Sequence, residues 1–472
     1  MKISASASVL RALRENIIAA AGILLFILIL LYPLPAGSGL GYDGKAALAL
    51  LVLVFSLWVT ETLPIGATAW LVGILVIVLG IKKDPNEVWS NFGHSSVFFL
   101  MGSFIMSQAL IKYNIHKIIA LKMISITGSS TSRVVFGMII TSGMLSMFIS
   151  DHLVAAMMLP LAVALVESLE GGAIEHPRLA KLLVISIAFS VNSAGYSTPS
   201  GAARNLIIMG YLKQMFGIEL SYLAWMKIAF PIAFLLILAT AVLLPRIIKS
   251  ETGDLSQATE KIKKELSTNA ISLKGKIVLG IFLVTIALFI AAGSRYSLGT
   301  IAMLGAFLMI AAGAIEWNDV RKISWSSIFL YGAAITLGGA LKDTKASSWL
   351  AGNFLSMFSI STLFTLVIAA SIISLLNTQL MADGPNAAIV GPIVLGIAET
   401  LKLNPVPVGM AVVIPGSFAY MTLVGTPPNA IVYGSGYLEP RDFLKYGLVQ
   451  TIIAVAVWLL VITTYWKVIG IL

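Results

Sequence analysis

Two aspartates stand isolated in long apolar stretches, Asp151 within 131–167 and Asp383 within 358–401. A third charge, Arg204, lies in the apolar stretch 180–212 beside Asn205. An ionisable side chain at membrane depth is costly unless it meets a partner, water or a transported solute, so it marks function. Ser150-Asp151-His152 interrupts the centre of its stretch, and Ala382-Asp383-Gly384-Pro385 interrupts the other. Ser-Thr-Pro-Ser-Gly breaks 180–212, and Gly-Thr-Pro-Pro-Asn breaks 405–437. A helix broken in the bilayer leaves N–H and C=O groups that are tolerated only inside protein or facing water. Half-helix N-termini suit anions. Unwound carbonyls suit a cation such as sodium. Two tips near 150–153 and 382–386, facing unwound stretches at 196–204 and 423–429, predict one anion cradle.

Each charged residue has two uses open to it. Ser150 or Asp151 can cap the half-helix that follows. Asp383 can do the same, with Pro385 in the first turn. Alternatively, both aspartates serve the transported solute. Arg204 is either a structural partner of Asp151 or a fixed cation that attracts a carboxylate or replaces a coupling sodium. His152 packs or lies at the surface, acts as a fixed cation like Arg204, or carries a coupling proton.

The elements that must position these residues are membrane helices. The 472 residues are 58% hydrophobic and 11% charged, against roughly 45–50% and about 25% in soluble domains. That excludes a water-soluble enzyme and a disordered or fibrous chain. Continuous runs such as LLVLVFSLWV also argue against a barrel, whose strands alternate. Lys2, Arg11 and Arg14 precede the run 17–34. That run continues to Leu34-Pro35, with more spans after it, and reads as a first transmembrane helix rather than a cleaved leader. With no cysteine and four scattered histidines, disulfides, iron–sulfur clusters and thiolate zinc sites are excluded. The net charge of +10 reads as topology control in loops, not nucleic-acid binding. No ATP-binding phosphate loop, zinc-protease motif or hydrolase elbow is found, so neither an enzyme nor an ATP-driven pump is expected.

The fold expected is an all-α polytopic membrane protein of about 11 transmembrane helices. Residues 1–44 form an N-terminal segment and first helix, 45–247 a first repeat, 248–276 a hydrophilic cytoplasmic linker and 277–472 a second repeat. The first repeat carries a hairpin at 131–167 and a broken helix at 180–212; the second carries them at 358–401 and 405–437. Asp151, Ala155, Ala156 and Pro160 align with Asp383, Ala387, Ala388 and Pro392 at a shift of 232. Gly201 and Asn205 align with Gly425 and Asn429 at a shift of 224. Five crossings per repeat invert the second repeat, the pattern of a secondary transporter with its site at the midplane.

The stretch 417–437, SFAYMTLVGTPPNAIVYGSGY, resembles the signature of the divalent anion/sodium symporters, the solute carrier 13-like di- and tricarboxylate and sulfate transporters. Ser146-Met-Phe-Ile-Ser150 with Ala155-Ala156-Met-Met-Leu-Pro160, and Trp58-Val-Thr-Glu-Thr-Leu-Pro-Ile-Gly66, fit the same family. The resemblance covers essentially the whole chain. It implies a homodimer whose transport domain moves as an elevator; the chain is expected in the cell (inner) membrane with its N-terminus cytoplasmic. It also implies hairpin tips reading Ser-Asn-Thr that touch substrate carboxylates and, with the unwound loops, bind sodium.

Carried over, the substrate positions are Ser150, Asp151, His152, Ala382, Asp383, Gly384, Thr426, Pro427 and Arg204. The sodium positions are Ser146, Ser150, Asp151, Gly201, Thr378, Asp383 and Gly425. Only Ser150 matches the first triplet, no residue matches the second, and Ala203-Arg204 stands where Pro-Pro is usual. A bare tip carboxylate would repel a dianion by roughly 4 kcal/mol per charge pair at about 4 Å and an effective dielectric near 20. Each Asp must therefore be protonated, paired or turned to a cation.

The expected function is secondary transport of small divalent anions, foremost C4-dicarboxylates such as succinate, malate or fumarate, with sodium as the coupling ion and no other cofactor. The alternatives are a sodium-independent exchanger or a proton-coupled carrier using Asp151, His152, Arg204 and Asp383. Sulfate or citrate transport also stays open, as does a different class, an anion channel or non-transporting membrane protein.

Overall fold

The computed structural model describes residues 5–33, 39–268, 271–293, 295–357 and 360–472. Among the described residues the regular structure is helical, with one isolated bridge between Ser130 and Asp254 and no strand. This follows from the apolar composition, because in lipid a helix pairs its backbone groups within the segment. Among the described residues six helices are long and apolar enough to cross a membrane: Tyr42–Thr60, Pro85–Lys112, Thr131–Phe148, Tyr222–Ile247, Leu273–Ala292 and Pro440–Val468. Shorter apolar helices accompany them, among them Ile65–Val78, Leu298–Ala311 and Leu363–Asn377.

Helix Ser95–Lys112 crosses Leu298–Ala311 at very close range. The crossing depends on glycine. A Cβ on Gly299 would lie 2.1 Å from the Ser95 carbonyl oxygen, and one on Gly102 would lie 2.6 Å from the Ala302 backbone. Small residues let helix backbones approach in this way. Gly299→Ala should therefore push the two helices apart at an overpacking cost of about 1–3 kcal/mol. The expected result is a lower melting temperature in detergent; an unchanged one would contradict the contact.

The elements that carry the candidate site pack together around Pro177–Ala194 and Ala203–Phe216. Thr131–Phe148 and Asp151–Glu167 lie against the first of these; Asp383–Thr400 and Pro405–Val413 lie against the second. The stretch 180–212 is two helices, Pro177–Ala194 and Ala203–Phe216. The first begins earlier than apolarity suggests because Pro177 occupies a helix start, where its missing N–H costs nothing. The stretch 405–437 is Pro405–Val413, a 3-10 turn at Pro415–Ser417 and Pro427–Tyr433.

The hydrophilic segment 248–276 is tied to the first hairpin by backbone hydrogen bonds. Leu255 N–H donates to Ser129 O at 2.7 Å, and Thr131 N–H donates to Gly253 O at 3.0 Å. These bonds pin the segment to the start of Thr131–Phe148. Its polar residues then form the helix Ser256–Thr268. The next helix starts at Leu273, where the Ser272 side chain accepts from Gly275 N–H, so the segment ends earlier than its charge pattern indicates.

Candidate substrate site at the helix tips

Helix Thr131–Phe148 stops because Ile149 and Ser150 leave helical geometry, and Asp151 opens the next helix. Ser150 occupies the cap position, yet its side chain makes no capping bond. Its hydroxyl lies 2.9 Å from His152 Nδ1 instead. The Asp151 carboxylate is engaged at both oxygens. Oδ1 accepts from the His152 N–H at 2.7 Å, and Oδ2 accepts from Arg204 Nη1 at 2.9 Å. At the second tip Asp383 opens Asp383–Thr400, after Ala382 as an extended cap residue. Its Oδ2 also accepts from Arg204 Nη1.

Arg204 is therefore shared. It sits in the first turn of Ala203–Phe216, just after the first break, and spans both tips. Its Nε donates to Ser417 Oγ at 2.8 Å, and Ser417 in turn donates to Val413 O at 2.7 Å. Two tips and two broken helices thus contribute one group each. Relative exposures of 2% for Arg204, 4% for Asp151 and 8% for Asp383 mean that the charges depend on one another. Removing one partner of such a buried pair costs about 3–5 kcal/mol. With both carboxylates ionised the cluster carries one net negative charge. Arg204 Nη2 is buried without a hydrogen-bond partner among the described residues. It lies 3.2 Å from where a Gly195 Cβ would sit, so a side chain at 195 would crowd the guanidinium.

Both unwound loops are tied the same way. Asn205 Nδ2 donates to Gly195 O at 2.9 Å and Thr198 O at 2.7 Å. Asn429 Nδ2 donates to Ala419 O at 2.6 Å and Thr422 O at 2.7 Å. Each amide reaches back ten and seven residues. Asn192 Nδ2 then donates to Asn429 Oδ1 at 3.1 Å, joining the two breaks. Asn429→Leu keeps the volume but strands buried carbonyls, each at about 1–3 kcal/mol. That variant should melt several degrees lower and lose transport; full transport would show that the loop does not need the tie.

Gly201 and Gly425 mark where backbone carbonyls crowd each loop. A Cβ at 201 would lie 2.3 Å from Gly195 O and 2.8 Å from Ser146 O, and one at 425 would lie 2.6 Å from Thr378 O. Such neutral oxygen donors fit a sodium ion as cargo. The Ser146 hydroxyl donates to Val191 O at 3.1 Å, while Thr378 Oγ1 is buried and unpartnered among the described residues. The carboxylates expected as sodium ligands, Asp151 and Asp383, are turned toward Arg204.

The structure thus brings Asp151, Asp383 and Arg204 together directly, with Ser150 and His152 bonded beside them. Gly384 abuts Leu330. Thr426 is buried with its hydroxyl unpartnered among the described residues, and Pro427 is exposed at the start of its helix. Ser417 carries an Arg204 bond that the sequence reading did not assign. Its signal was Ser193, which lies 224 positions earlier.

A helical membrane protein with two helix tips and two broken helices meeting at buried charges has the make-up of a solute carrier. The sodium:sulfate symporter transmembrane region matches residues 15–472, and the chain belongs to that family, whose members are transporters rather than enzymes. It is 27% identical over 469 residues to the sodium-dependent dicarboxylate transporter SdcS of Staphylococcus saprophyticus, covering 93% of this chain and 89% of that protein. SdcS of Staphylococcus aureus (strain COL) is 27% identical over 467 residues at the same coverage. Among solved structures, MtrF of Neisseria gonorrhoeae, described among antimetabolite efflux pumps, aligns with a TM-score of 0.54 at 12% identity. The alignment covers 82% of this chain and 83% of that one, a likeness of fold.

Proposed function

We propose that this protein is a secondary transporter of small dicarboxylates, foremost C4 acids such as succinate, malate and fumarate, driven by sodium. One observation carries the reading: Arg204 is bonded to both tip aspartates and to Ser417, so all four broken elements meet at one buried cation. A dicarboxylate would exchange its own carboxylate for a tip aspartate on the guanidinium, whose planar donors match a carboxylate bidentately. Sodium at the carbonyl-crowded loops would offset the negative charge that the dianion adds to a cluster at minus one when both aspartates are ionised. The equivalent ties of Asn205 and Asn429 support two repeats; their inversion and an elevator-type movement of the tip-bearing helices are part of the same proposal. A homodimer in the cell membrane with a cytoplasmic N-terminus belongs to the same proposal.

A second reading has its own support. Arg204 is a permanent cation at the tips, so sodium-independent exchange is chemically open. Uptake of labelled succinate into proteoliposomes separates the two. Uptake driven by an inward sodium gradient into empty vesicles supports symport. Uptake that needs only internal succinate supports exchange. If neither gives uptake, succinate is the wrong anion, and sulfate is tested next.

A further inference from the structure

The two breaks match residue for residue at four positions: Tyr196, Thr198, Gly201 and Asn205 stand 224 positions before Tyr420, Thr422, Gly425 and Asn429. Ser193 and Ser417 are related by the same shift. The hydrogen bonds of this set are not equivalent. The Tyr420 hydroxyl lies 2.8 Å from Ser193 Oγ, a fully buried pair. The counterpart would be Tyr196 with Ser417. Yet Ser417 Oγ takes its hydrogen bond from Arg204 Nε, and the Tyr196 hydroxyl is buried without a partner among the described residues. A buried hydroxyl left unpaired costs about as much as a hydrogen bond is worth or more, so this state stores an unmet bond.

Tyr196 is held next to the residue that follows Ser417. Its backbone carbonyl accepts from Trp225 Nε1 at 2.9 Å. Its ring meets the Phe418 ring edge-on at 6.2 Å, one residue beyond Ser417. Pro428 stands at the Arg204 position in the second loop, so no cation there competes for Ser193.

We propose that Ser417 has two alternative partners, Arg204 and Tyr196, and that Tyr196 is a positioning residue for the guanidinium. When a substrate carboxylate draws Arg204 away, Tyr196 closes on Ser417 and restores the pair that Tyr420 and Ser193 already make. The hydroxyl thereby offsets part of the cost of freeing Arg204. The link to substrate rests on the dicarboxylate reading; the exchange of partners does not.

The test separates these. Melting temperatures are measured for Tyr196→Phe in the wild type and in a background lacking the guanidinium, Arg204→Ala with Asp151→Asn and Asp383→Asn so that no charge is stranded. In the wild type the removed hydroxyl has no partner among the described residues, and its loss should leave the melting temperature unchanged or raise it. In the background it should have gained Ser417, and its loss should lower the melting temperature by about 2 °C or more. Adding Ser417→Ala to the background should erase that difference. Equal shifts in both backgrounds, or none in either, would overturn the proposal. Tyr420→Phe is the static control and should lower the melting temperature in both.

The transport arm is labelled succinate uptake. Tyr196→Phe should raise the succinate KM about fivefold, since Ser417, still donating to Val413 O, would then have no donor to replace Arg204. A KM unchanged beside altered melting would detach the exchange from substrate binding and overturn that link. If the wild type takes up no succinate, the substrate reading falls, and the melting comparison still decides the exchange.

Discussion

Arg204→Ala should abolish transport and lower stability together. The guanidinium is the only group bonded to both tip aspartates among the described residues. Without it two carboxylates remain buried with no shared cation, and the penalty is about 3–5 kcal/mol. The variant should melt well below the wild type and give no uptake. Stability and function separate in the charge-balanced variant, Arg204→Ala with Asp151→Asn and Asp383→Asn. It removes one positive and two negative charges and leaves neutral amides at the tips. That protein should recover most of the lost stability, because nothing charged is stranded, but should transport at less than a hundredth of the wild-type rate. Transport near the wild-type level would show that Arg204 only neutralises the aspartates. Asp151→Asn in Arg204→Ala alone should not restore function, because Asp383 would still face no cation.

Gly201→Ala should have the second-largest effect. The new methyl would sit 2.3 Å from the Gly195 carbonyl oxygen and 2.8 Å from that of Ser146. Both obstacles are backbone, so no rotamer relieves the clash. The first loop must move away from Thr131–Phe148, breaking the ties of Asn205 to Gly195 and Thr198. Overpacking costs about 1–3 kcal/mol. The larger loss is geometric, since the displaced carbonyls are those proposed to hold sodium. Uptake should fall at least tenfold, with a higher sodium concentration needed for half-maximal rate. A sodium response like that of the wild type, whatever the rate, would remove this loop from the sodium site.

Much of this arrangement was legible in the sequence because membrane burial leaves few excuses for a charge. Asp151, Arg204 and Asp383 stood out on that ground alone, and all three meet. The repeat shift also pointed to the equal roles of Asn205 and Asn429. Two features were hidden. Whether Asp151 caps its helix or bonds Arg204 depends on where a side chain 53 positions away ends, and no local pattern fixes that. Ser417 was hidden because a single hydroxyl in an apolar run usually bonds back to its own helix, which this one also does through Val413. Helix limits shifted for local reasons, as at Pro177, where a polar flank concealed a helix start.

The central claim is that the Arg204 cluster is where the dicarboxylate binds. Isothermal titration of succinate into the purified wild type and the charge-balanced variant, in sodium buffer, tests it most directly. Saturable binding to the wild type is expected, and none measurable to the folded variant. Equal affinity in both would contradict it and place the substrate elsewhere.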